Sequence, residues 1–330
     1  MRAVVAGSAS TGVCAVRTPL RPVGETSVVN QERAHSMSSY AIGLSTDMAI
    51  MSFLALAAYL LLLVGRVSFG LQAFFGFGAY VAGIGSAMLN WPLPVAVAFA
   101  VGLGALVSAA VAWPTMGLSG LRYAIASLAF AEMARIALSQ WVWQVNLGDR
   151  LVGPNGVEGF RDIRWVLTND ITDVQYLFIC LTALAVCVAA IWYLERRRIG
   201  VVMRAMGFDE TLAQHMGLNT HHIRVMTAAT AGAIAALGGA LYAHRTTYIE
   251  PAVFEPMLGV HSVGYALIGG LGAPFAPLLG VILDLGLLNA FHDLAQWRMV
   301  IFGGLVAIFL RLKPRGLVDE KLFDSLRKGI

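Results

Sequence analysis

Charge is scarce in this chain: Asp, Glu, Lys and Arg supply 13% of 330 residues, while 58% are hydrophobic. A soluble globular domain carries about 25% charged residues, so an ordinary water-facing surface is excluded. Cysteine is rare as well, with three in all. Cys180 and Cys187 lie seven apart on one face of an apolar segment, as buried thiols do, rather than in metal or disulfide spacing. No GxxxxGK[ST] loop is present to cradle nucleotide phosphates, and no HExxH, CxxC or GxSxG pattern to organise a metal or a nucleophile. The chain is therefore expected to hydrolyse no ATP itself, to be no enzyme, and to need no cofactor or metal. A net charge of +4 does not point to nucleic acid, because the Lys and Arg residues sort by loop.

What the chain has is long apolar runs, with a mean hydropathy of +0.72. Residues 174–194 run 21 positions without a charge, enough to cross a hydrocarbon core of about 30 Å as a helix. Short alternating segments of the β-barrel kind are missing, so the fold class is an all-α membrane protein, a polytopic bundle of about 8–10 transmembrane segments. Nine apolar segments stand out, at 41–64, 67–89, 93–112, 121–141, 174–194, 222–243, 257–272, 275–291 and 297–310. The seventh ends in "GGLGAPFAP", where Gly269, Gly270 and Gly272 stand beside two prolines. A broken or half-crossing helix is predicted near 257–280. The domain reading is an N-terminal extension at 1–40, one transmembrane domain at 41–312 containing a polar loop at 195–221, and a tail at 313–330.

Basic residues orient the bundle. With the 195–221 loop and the tail in the cytoplasm, the inner loops hold thirteen Lys and Arg and the outer loops five, in the sense of the positive-inside rule. Nine crossings ending inside would begin outside, yet Arg2, Arg17, Arg21 and Arg33 precede the first span. The expected resolution is a mature start at Met37; the alternative is that one segment is re-entrant.

Glu132 and Arg135, i and i+3 on one helix face, and Asp284 lie within apolar segments, where ionisable groups face the bundle interior or water. They mark either a local ion pair or a proton-coupled pathway. Glycine is prominent at 70–85, where Gly76, Gly78 and Gly83 stand among Ala79 and Ala82 at four-residue spacings that let helix backbones approach. These positions are helix-packing or pathway-lining candidates. The polar stretch "ERRRIGVVMRAMGFDETLAQHMGLN" at 195–219 reads as two short amphipathic helices, with Met203, Met206, Leu212, Ala213 and Met216 at helical spacing and Gly207 and Gly217 as interruptions. An interfacial helix lying on lipid and a docking knob for another protein explain it equally well.

"GVVMRAMGFDETLAQHMGLNTHHIRVMTAATAGAIAALGGALYA" resembles the cytoplasmic loop and following helix of the branched-chain amino-acid permeases of ABC importers, the LivM and LivH family. "VSFGLQAFFGFGAYVAGI", "LSGLRYAIASLAFAEMARI", "LVGPNGVEGF", "GYALIGGLGAPFAPLLGVIL" and "AIFLRLKPRGLVDE" match in the same order, and the resemblance covers residues 45–320. It implies a permease subunit in the bacterial inner membrane, its C-terminus cytoplasmic, importing branched-chain or related amino acids. It implies four partners besides membrane lipid: a LivH-like second permease, two cytoplasmic ATPase subunits and a periplasmic substrate-binding protein. The 195–221 segment becomes the ATPase-coupling loop, with Arg204, Glu210, Ala213 and Gly217 as its site residues. Thr211 and Leu212 depart from the family's loop pattern, Asp284 replaces a usually apolar residue, and residues 1–40 supply no additional apolar helix. The alternative function is a proton-coupled secondary transporter using Glu132 or Asp284.

Overall fold

The computed structural model describes residues 23–118, 120–147, 150–287, 298–312 and 317. The chain divides into two compact units, Met1–Ala41 and Ile42–Ile330. The first helix, α1 (Val23–Leu63), starts well upstream of the apolar run at 41. Its polar beginning contains no proline, and no glycine after Gly24, so nothing local stops the helix there. Residues 1–22 of the expected extension at 1–40, and most of the tail after 312, lie outside the described residues.

Each remaining apolar segment falls on a helix. These are α2 (Leu71–Ala87), α3 (Leu93–Thr115), α4 (Leu121–Gln140), α6 (Asp173–Arg196), α9 (Thr220–Thr246), α10 (Pro256–Gly269), α11 (Ala276–Val281) and α12 (Arg298–Leu312). A π-helical stretch, Ile282–Leu287, continues α11. Among the described residues, four helical stretches are long and apolar enough to cross a membrane unaided: Ser39–Leu63, Leu93–Thr115, Asp173–Arg196 and Thr220–Thr246. The first and last are mostly buried within the chain, and the other two are mostly exposed. The buried pair therefore forms the bundle's interior, and α3 and α6 its apolar periphery.

Glycine brings α9 against α2 and α3. A Cβ added at Gly78 would lie 2.1 Å from the Ala236 carbonyl oxygen, and one at Gly239 would lie 1.8 Å from that of Phe75. On the α3 side Gly104 faces Ala236, Gly232 faces Ser108, and the Ser108 hydroxyl donates to the Ala228 carbonyl at 2.6 Å. Without a hydrophobic drive between helices in lipid, such close backbone contacts hold the bundle together.

The loop after α4 carries a small antiparallel sheet that the apolar pattern did not foretell, β1 (Val145–Leu147), β2 (Arg150–Pro154) and β3 (Phe160–Arg161), in that order. Phe160 bridges to Ile249 beyond the end of α9, and its fully buried ring, with Ile163, fills the space that Gly83 leaves open. Two short helices occupy the loops, α5 (Trp165–Thr168) at this sheet end of the bundle and α8 (Glu210–His215) at the other.

The predicted break is present. At 14 residues, α10 is about 21 Å long, short of the hydrocarbon core. It stops at Gly270, whose φ of +98° lies in a region that only glycine enters freely. The chain then doubles back. Gly269 lies under the Ala276 carbonyl and Gly280 under that of Tyr265, the contacts of an antiparallel helical hairpin.

Candidate functional site

The polar bridge between α6 and α9 forms two helices, α7 (Arg198–Phe208) and α8. The break between them falls at Asp209 rather than at Gly207. Asp209 has extended backbone angles, and its carboxylate accepts from the backbone N–H groups of Thr211 and Leu212, which makes it the N-cap of α8. Gly207 instead sits inside α7, where a Cβ would stand 2.4 Å from the Leu63 carbonyl at the end of α1. Close approach and helix interruption make the same demand on a glycine, so the sequence could not separate them. Gly217 ends α8 with φ +77°, its N–H donating to Gln214 and that of Leu218 to Ala213, a Schellman cap.

The two helices are bolted to the bundle at three points. Gly200 packs on the backbone of Glu195, and Gly207 on Leu63. At the second point, the Tyr59 hydroxyl donates to Glu195 Oε1 at 2.6 Å and Arg204 Nη2 to Glu195 Oε2 at 2.7 Å, while Arg204 Nη1 donates to the Leu271 carbonyl at 3.1 Å. At the third, Glu210 stands between two arginines: it accepts from Arg224 of α9, and one carboxylate oxygen lies 3.5 Å from Arg66 of the α1–α2 loop. Arg66 and Arg224 are each 4% exposed, and Glu210 is 33% exposed.

Burial first, and then the positive charge of Arg224 beside it, lowers the Arg66 pKa. Glu210 offsets this, and its own pKa is held below the ordinary carboxylate value by the Arg224 hydrogen bond first, then by the charges of Arg224 and Arg66. A depressed folded-state pKa stabilises the fold above the unfolded value and stops doing so as pH falls through the folded one. Solvent reaches a third of Glu210, which screens the effect. A spin label at exposed Met216 should therefore keep constant mobility from neutral pH down to about pH 4.5 and loosen only below it, as Glu210 protonates.

Arg204, Glu210 and Ala213 all face their own chain; Ala213 is 2% exposed. What faces outward is a set of large apolar side chains, Phe208 at the end of α7 and, four apart along α8 and its C-cap, Leu212 and Met216, which are 82%, 60% and 72% exposed. Tyr59, Arg66, Glu195 and Arg224 belong to the site, yet they carry no local signal beyond charge or an aromatic in an apolar setting.

The other candidate residues are dispersed. Gly76 sits against the Phe254 ring, Gly78 on α9, Gly83 under Phe160, and Gly269, Gly270 and half-buried Gly272 in the hairpin turn. Glu132 pairs with Arg135 at 2.9 Å on partly exposed α4. Asp284 is 2% exposed and accepts from Tyr265 at 2.7 Å. Among the described residues, no group of three or more His, Cys, Asp or Glu is placed to hold a metal ion.

A family model described as branched-chain amino acid transport system, permease component, matches residues 40–310. The high-affinity branched-chain amino acid transport system permease protein LivM of Escherichia coli is 25% identical over 303 residues, covering 81% of this chain and 68% of the relative. The LivM protein of Salmonella typhimurium is 26% identical over 283 residues, 78% and 64% of the two chains. This chain thus spans about two thirds of the length of these curated relatives. The ribose import permease protein RbsC of Haemophilus influenzae is 27% identical over 147 residues, 42% and 46% of the two chains. No solved structure matches significantly.

Proposed function

The chain belongs to the permease-component family of branched-chain amino acid transport systems, and from that premise we propose that it is the permease subunit of an ATP-driven importer of branched-chain or related amino acids. It works by alternating access in the bacterial inner membrane, with α7, α8 and the C-terminus on the cytoplasmic side. A LivH-like permease completes the pathway, two ATPase subunits drive it, and a periplasmic binding protein delivers substrate to the sheet end. The observation that carries this reading is the Phe208, Leu212, Met216 ridge, three large apolar side chains turned outward on helices whose opposite face is locked to the bundle. A solvated loop has no use for such a ridge, and rigid seating lets a push on it move the spans as a body. Affinity for substrate resides in the binding protein, so the permease needs only weak, transient contacts.

The test is energetic. Proteoliposomes holding the assembled transporter and binding protein should accumulate leucine when ATP is supplied, and should continue to do so when the proton gradient is collapsed. Uptake that ignores ATP and vanishes with the gradient would instead establish a secondary carrier, with Glu132 and Asp284 as its first candidates for the proton.

A further inference from the structure

Resting on the proposed function, we infer that Arg204 is a positioning residue that couples the ATPase-docking helices directly to the re-entrant α10–α11 hairpin, so that the hairpin moves with the engine. One guanidinium performs two tasks with two different nitrogens. Nη2 is held by Glu195 at the end of α6, and Nη1 holds the Leu271 carbonyl in the hairpin turn. Tyr59 of α1 fixes the other Glu195 oxygen, so the carboxylate is oriented before Arg204 meets it. The Glu195 side chain is 8% exposed and that of Arg204 22%, so water competes little for either bond.

The receiving end is built to move as a unit. Gly270 sets the turn in a glycine conformation, and the Gly269–Ala276 and Gly280–Tyr265 contacts hold its two arms together without intervening side chains. On the neighbouring turn, the Ile268 carbonyl accepts from the backbone N–H of Leu317. Asp284 lies further along the return arm, bonded from Tyr265 across the hairpin. A displacement of α7 is thus delivered to a segment that half-crosses the membrane and carries a buried acid. The other two anchors of the docking helices, at Leu63 and at the Arg66–Glu210–Arg224 cluster, reach α1, its following loop and α9.

Arg204→Lys separates transmission from seating. A lysine keeps the positive charge beside Glu195 but lacks the planar fork that bonds two acceptors in fixed directions, so the Leu271 contact is lost while the ion pair stays. In the assembled transporter, with leucine as probe, the leucine moved per ATP hydrolysed should fall at least about tenfold in R204K, a ratio that each 1.4 kcal/mol of lost coupling changes by ten. Glu195→Gln, which weakens the hold on the guanidinium without removing it, should fall between the two. Unchanged leucine per ATP in R204K overturns the inference. So does loss of ATPase binding in R204K, which would make Arg204 part of the seat alone. A wild-type complex that hydrolyses ATP without moving leucine would overturn the proposed function itself, and is distinguished by needing no variant.

Discussion

Replacing Gly78 with valine should prevent the bundle from assembling. The Cβ alone would stand 2.1 Å from the Ala236 carbonyl oxygen and 2.5 Å from its Cα, and the obstacle is helical backbone, which cannot rotate out of the way. The two helices must separate. That also lifts Phe75 off Gly239 and Gly238 and opens the contacts around α9 on which both α2 and α3 depend. Overpacking a well-packed interior costs typically 1–3 kcal/mol when side chains can adjust; with backbone on both sides the expected cost is above about 3 kcal/mol, or a melting temperature lower by more than about 4 °C for a chain of this size. Gly102→Val is the matched control, because nothing lies within 4 Å of a Cβ at Gly102 on α3. In detergent the isolated Gly102 variant should melt with wild type, and the Gly78 variant should melt far lower or fail to elute as a single species. Equal melting of all three would mean that α2 and α9 do not meet as described.

The apolar runs made the spanning helices legible because in a membrane the backbone must satisfy itself, which leaves a helix as the only reading of a long uncharged stretch. The hairpin was legible for a related reason: three glycines and two prolines in nine residues cannot continue a helix. The interior of the candidate site was not. Nothing local in the sequence shows that Arg66, Glu210 and Arg224 will meet. Ala213 was expected on the contact surface and is buried against its own chain, while Phe208, four residues before Leu212, was overlooked because it lies across the Asp209 break. The spacing rule counts along one helix, and Phe208 belongs to the other. The start of α1 at Val23 escaped for another reason: apolar periodicity finds burial, and a polar helical stretch gives it nothing to find.

The ridge carries the second large effect. Leu212→Glu places a charge in the middle of an outward apolar surface while leaving intact the buried contacts of Met203, Met206 and Ala213 and the ion pairs of Glu210 and Arg204. The fold should not register the change, since a 60% exposed side chain loses little packing. Docking should register it strongly. Truncating a central apolar anchor costs 2 kcal/mol or more, and burying an unpaired carboxylate adds to that, so affinity for the ATPase subunit should fall by at least about 100-fold. Arg198→Glu, off the ridge at the start of α7, should change it far less. The decisive measurement is the dissociation constant between the purified ATPase subunit and this chain in lipid nanodiscs, wild type against Leu212→Glu, with melting temperature recorded in parallel. A loss of binding of two orders of magnitude at unchanged melting temperature is the predicted result; binding that is equally tight in both would contradict the claim that this chain is driven through the Phe208, Leu212, Met216 ridge.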